Sequence, residues 1–132
     1  MTTKKKNLEL IFNVLRETKL SLADSRIRDA FMKQFGEALD DFVKERENVY
    51  IKFCDKDEDG NPKVLENKYT FQKSVLEEMS NELEILLNEE VAIAADNTEK
   101  IKEFIESTQY NPKPGEVELI DEFLVDLDKQ VV

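Results

Sequence analysis

The 132 residues include no histidine and one cysteine; this removes His-based acid/base pairs and triads, the usual zinc ligand sets and an internal disulfide. Acids outnumber bases 30 to 19 for a net charge of −11, which repels nucleic acid at long range, and no apolar run reaches the roughly 18 residues of a membrane span. Apolar residues make up 40% of the chain and include eight Phe, enough for one modest core.

The start, "MTTKKKNLELIFNVL", is a poor secretion signal: polar residues interrupt it and no small-residue cleavage site follows. Together with the lone Cys54, this points to a soluble protein made in a reducing cytosol. Leu8, Ile11, Phe12 and Leu15 then recur at i, i+3, i+4, i+7, the spacing of an amphipathic helix over 7–17. "KLSL" is a connector, with Ser21 or Asp24 available as the next cap. From Ile27 to Phe53 apolar residues keep helical spacing, so a long helix is expected over about 23–53. Gly36 inside it costs about 1 kcal/mol relative to Ala.

An acidic turn, 55–63, ends that helix, because Gly60 and Asn61 tolerate positive φ and Pro62 cannot continue it. "KVLENKYTF" fits one or two short strands around a turn at Glu66-Asn67. A helix over about 70–88, capped by Thr70 and carrying Phe71, Val75, Met79, Leu83 and Leu86, is expected to lie antiparallel to the long one. "EEVAIAAD" is a short strand or an extended connector. Asp96 and Glu99 have the spacing of a capping box before a helix at about 97–108. After the break at "YNPKPG", Val117, Ile120, Leu124 and Leu127 form the stripe of a last helix, about 115–129. The expected fold is mainly α: a single small helical domain over 1–132, a hairpin or bundle with a minor β-hairpin or short-strand element.

"DKDEDGNPKVLE", residues 55–66, spells a calcium loop in which Asp55, Asp57, Asp59, the Asn61 carbonyl and Glu66 are the ligands. Pro62 lacks the N–H that pairs sister loops, Lys63 stands beside the would-be ion, and the outgoing segment is β-like. The expectation is a solvated turn, with no metal and no cofactor; a calcium-binding loop is the third-ranked reading. Acid pairs such as Asp40/Asp41, Glu77/Glu78 and Glu89/Glu90 offer no catalytic geometry, because neighbouring acids on a helix point apart. No enzymatic activity is expected.

Charge divides the chain. Residues 1–73 hold 15 bases against 14 acids, a net of +1, and residues 74–132 hold 4 against 16, a net of −12. One consequence is an acidic surface, with Glu77, Glu82, Glu84 and Glu89 as contact residues, by which a DNA-like inhibitor would engage a basic host protein. Arg26, Arg28 and Lys33 form a small basic patch. Because Asp24 and Asp29 interleave with it, intrahelical pairing is expected there rather than phosphate binding. Cys54 is expected to pack at a helix end.

"SRIR", "KDEDGNPK" and "LLNEEVAI", in that order and followed by "VELIDEFLVDLD", resemble a family of small tailed-bacteriophage proteins encoded among late structural and tail genes. The resemblance implies a phage setting, with synthesis in the host cytoplasm and a place in the virion or its assembly. It brings no catalytic residues. The preferred expectation is a non-enzymatic phage protein that contacts other phage structural proteins or itself, with no nucleic acid or membrane as partner. It places an uncovered apolar seam on the long helix or the last one. The acidic inhibitor is the alternative.

Overall fold

The structure, a computed structural model, describes residues 1–129; the last three positions of the expected domain lie outside them. Among the described residues the helices are α1 (Leu8–Glu17), α2 (Leu22–Phe53), α3 (Leu76–Asn88), α4 (Thr98–Glu106) and α5 (Glu116–Asp128). The strands are β1 (Thr2–Lys4), β2 (Val64–Leu65), β3 (Lys68–Tyr69) and β4 (Glu90–Ala92). The fold is mainly α with minor strands, and no described helix is long and apolar enough to cross a membrane.

The spine is α2. Ser21 caps it by accepting the Asp24 N–H at 3.2 Å, and at 1.5 Å per residue it runs for about 48 Å. Its end is tied off by Lys56, whose ammonium donates to the carbonyls of Ile51 and Cys54. Gly36 passes Phe12, and a Cβ built there would lie 3.5 Å from a ring carbon, an ordinary contact. The core forms over the first two-thirds of α2, where Phe31, Phe35 and Phe42 meet Leu8, Ile11 and Leu15 of α1. Phe35 stacks on Phe31 with centroids 5.4 Å apart and meets Phe123 edge-on at 5.7 Å.

As expected, α3 returns antiparallel along α2. Lys52 pairs with Glu82 near one end, and Lys5 bridges Glu45 and Glu89 near the other. The helix starts later than expected, however. A single 3₁₀ turn, Lys73–Val75, precedes Leu76, and Thr70 is not a cap. Its hydroxyl donates instead to the Asp55 carboxylate at 2.8 Å. Asp96 and Glu99 form no capping box, because the residue entering α4 is Asn97, left-handed at φ 58° and without a side-chain cap. On α5 the buried residues are Phe123 and Leu127, while Val117, placed on the core stripe from sequence, faces solvent. Spacing of three and four from Ile120 leads to Phe123 and Leu124 as neighbours on one face.

The extended segment "EVA" is a strand, β4, and its partner is the N-terminal β1: Thr2 faces Ala92, Thr3 faces Val91 and Lys4 faces Glu90 in antiparallel register. The Met1 ammonium donates to the Ile93 carbonyl at 2.8 Å. The second sheet is the β2–β3 hairpin, turning through Glu66 and Asn67, both at positive φ. A two-residue loop with both φ positive has the hand that matches strand twist.

Candidate interaction surface

Within the acidic loop, backbone bonds dominate. One Asp57 carboxylate oxygen accepts the N–H groups of Asp59 and Asn61, each at 2.9 Å. The Asp57 N–H donates to the Asn61 carbonyl at 2.8 Å, and Gly60, at φ 82°, donates to the Asp57 carbonyl at 3.0 Å. Asp55 is joined to the base of the hairpin: its N–H donates to the Thr70 carbonyl, and its own carbonyl accepts from Lys63. Glu66 opens the hairpin turn rather than an outgoing helix. The five residues of the calcium pattern thus serve a turn, and among the described residues no three Asp, Glu, Cys or His side chains converge to hold a metal ion.

The four acids named for a basic partner do not share one face. Glu77 and Glu84 are exposed and seven residues apart on the outer side of α3. Glu82 and Glu89 turn toward α2 and pair with Lys52 and Lys5. At 3.6 residues per turn Glu77 and Glu82 lie about 140° apart. Burial works against the Lys5 ammonium, yet its bonds to Glu45 and Glu89 outweigh this and hold its pKa above the ordinary lysine value. Lys4 and Lys6 both approach Glu122 of α5. The basic N-terminus therefore neutralises part of the acidic half from within the molecule.

Arg28 has a structural partner that the sequence reading missed. Its guanidinium donates to the Thr18 carbonyl at 2.6 Å and to the Leu15 carbonyl at 3.4 Å, closing the C-terminus of α1; its Nε meets Asp29 at 3.1 Å. The signal was present, since a helix end with free carbonyls and a short connector wants a cation from the next helix. Cys54 is buried at the end of α2, its thiol donating to the Ile51 carbonyl, with the Lys56 ammonium 3.3 Å from the sulfur. That neighbouring cation is one the sequence reading did not anticipate.

The distal arm, formed by the last third of α2, the β2–β3 hairpin and α3 as it returns along α2, is covered differently from the rest. Between Phe42 and Leu86 the buried apolar residues are Cys54 and Met79, and neither joins the core. Val43, Val64, Leu65, Leu76 and Ile85 are exposed, Leu65 and Ile85 at 68% and 67%. Two open grooves flank α2 here. One, about 680 Å³, lies against the hairpin and is lined by Tyr50, Tyr69, Phe71 and Val64, with Glu47 and Lys68 balancing in charge. Tyr69 donates its hydroxyl to Glu47, and the bond raises its pKa above the ordinary tyrosine value. The other, about 480 Å³, runs between α2 and α3 over Val49, Ile85 and Leu86, rimmed by Glu45, Asn48, Glu82 and Glu89. Comparison of the chain with protein-family models, with curated proteins and with solved structures finds no match.

Proposed function

We propose that this chain is a non-enzymatic bacteriophage protein that acts through protein–protein contacts, as a minor component of the virion or of its assembly. The distal arm is the observation that carries the contact part of this reading. Covering it, where Leu65 of the β2–β3 hairpin and Ile85 of α3 are two-thirds exposed, is favourable by about 25 cal/mol for each Å² of apolar area removed from water. Of the exposed large apolar residues, Val43, Val64, Leu65, Leu76 and Ile85 lie on the arm, while Leu22 stands alone at the other end of α2 and Val117 and Val125 are eight residues apart on α5. The phage setting is supported by the sequence pieces "SRIR", "KDEDGNPK" and "LLNEEVAI".

The test is mass spectrometry of gradient-purified virions and assembly intermediates, with copy number measured against the major capsid protein. A fixed stoichiometric presence in either fraction is the expected result. Absence from both overturns the reading.

A further inference from the structure

We propose that the groove between α2 and α3 docks a basic amphipathic helical segment of a partner protein. An aliphatic or aromatic residue of the segment sits over Val49, Ile85 and Leu86, and flanking Lys or Arg side chains meet Glu82, Glu89 and Glu45. The inference rests on the protein–protein reading above and names the class of partner for one face of the arm.

Shape and charge both select this occupant. The groove lies between two antiparallel helices, so a third helix can pack there by ordinary ridge-into-groove contacts. From Glu82 to Glu89 it offers about two helical turns, or roughly 10 Å, enough for apolar anchors at i and i+4. Its floor is apolar and its charged rim is made of carboxylates. Lys5 and Lys52 answer two of the three negative charges, and Glu78, which also acts on Lys52, adds a fourth. The groove thus stays negative. Lys52 is well exposed, and a surface pair of that kind exchanges readily for an incoming cation.

The same field argues against a second copy as occupant, since a chain of net charge −11 would bring like charge against the rim. It equally repels nucleic acid. The aromatic groove on the other side of α2 is balanced by Glu47 and Lys68 and makes no such selection.

The experiment is a methyl NMR titration of the full chain with a synthetic helical peptide carrying Leu at i and i+4 between Lys and Arg. A peptide with Glu in place of the bases, and one with Ser in place of Leu, serve as controls. The expected result is saturable shifts of the Val49, Ile85 and Leu86 methyls with the basic amphipathic peptide alone. Affinity should fall about tenfold in Ile85→Ser, as expected from losing the burial of one aliphatic side chain. It should also fall several-fold in the Glu82→Gln, Glu89→Gln double variant and with rising salt. Ile85 is mostly exposed, so its variant keeps the fold, and a circular dichroism melt checks this. Shifts confined to other surfaces, an affinity indifferent to Ile85→Ser and to salt, or no shifts at millimolar peptide would each overturn the proposal. Groove binding by peptide without any partner in virions or assembly intermediates would instead sink the proposed function, and a virion partner without groove shifts would sink only this inference.

Discussion

Replacing Arg28 with Ala removes the cation that closes α1. The side chain is 16% exposed, and its bond to the Thr18 carbonyl is short, 2.6 Å, and charge-assisted. Hydrogen bonds to charged groups contribute about 1.5–3 kcal/mol, and a cation at a helix C-terminus adds about 0.3–1 kcal/mol. Water will resolvate part of what is left, so a net loss of about 2 kcal/mol is expected. With an unfolding entropy of about 2.1 cal/mol/K per residue over 132 residues, this lowers Tm by about 7 °C. The assay is thermal unfolding by circular dichroism in phosphate-free buffer. Arg28→Lys keeps the charge but not the fork, and should lose about half as much. Arg26→Ala, at an exposed position, should stay within about 0.5 kcal/mol of the parent. If Arg28 served a phosphate-binding patch instead, its removal would leave Tm unchanged in that buffer. A shift below about 2 °C refutes the capping argument.

Three further substitutions probe other parts of the account. Gly36→Ala should stabilise α2 by about 0.5–1 kcal/mol, because the new methyl meets Phe12 at an ordinary contact distance; a drop in Tm would show that the contact is too tight. Asp57→Ala removes the acceptor for two loop N–H groups and should cost about 1 kcal/mol, as a lost cap does. The cost should be equal in millimolar calcium and in EDTA, and a calcium-dependent rise in the parent's Tm that vanishes in the variant would instead make the loop a metal site. Glu116 accepts the Lys113 N–H at 2.7 Å and the Tyr110 hydroxyl at 2.9 Å, and the backbone bond first holds its pKa below the ordinary 4.5, against the opposing effect of desolvation. A depressed folded-state pKa gives stability that is present above the unfolded value and is lost as pH falls through the folded one. The Tm gap between the parent and Glu116→Gln should therefore be largest near neutral pH and shrink below about pH 4.5; a gap that widens in acid would contradict the assignment.

The helices were legible because their signal is local. Leu8, Ile11 and Leu15, or Ile101, Phe104 and Ile105, announce a buried face within two turns. The β1–β4 pairing was not, since three-residue strands carry no alternation to read and Thr3 meets Val91 across 88 positions. Local chemistry also misled where a tertiary partner won. Thr70 looks like a cap but spends its hydroxyl on Asp55. Of the candidate surface, the positions of the α3 acids on the helix were readable. Which of them meet lysines was not, because Lys5 and Lys52 come from distant parts of the chain. The uncovered arm was invisible for the same reason. Val49, Tyr50 and Phe53 continue the core periodicity of α2, and only the packed fold shows that they are half-buried, Val49 at the edge of the core and Tyr50 against Phe71.

Cross-linking mass spectrometry in infected cells tests the central claim, that the arm is the contact surface, most directly. Lys52, Lys56, Lys63, Lys68 and Lys73 lie on the arm and are exposed, as are Lys19, Lys33, Lys100 and Lys113 elsewhere. Intermolecular links concentrated on the first set are the predicted result. Links concentrated on the second set, or none between molecules, would contradict it.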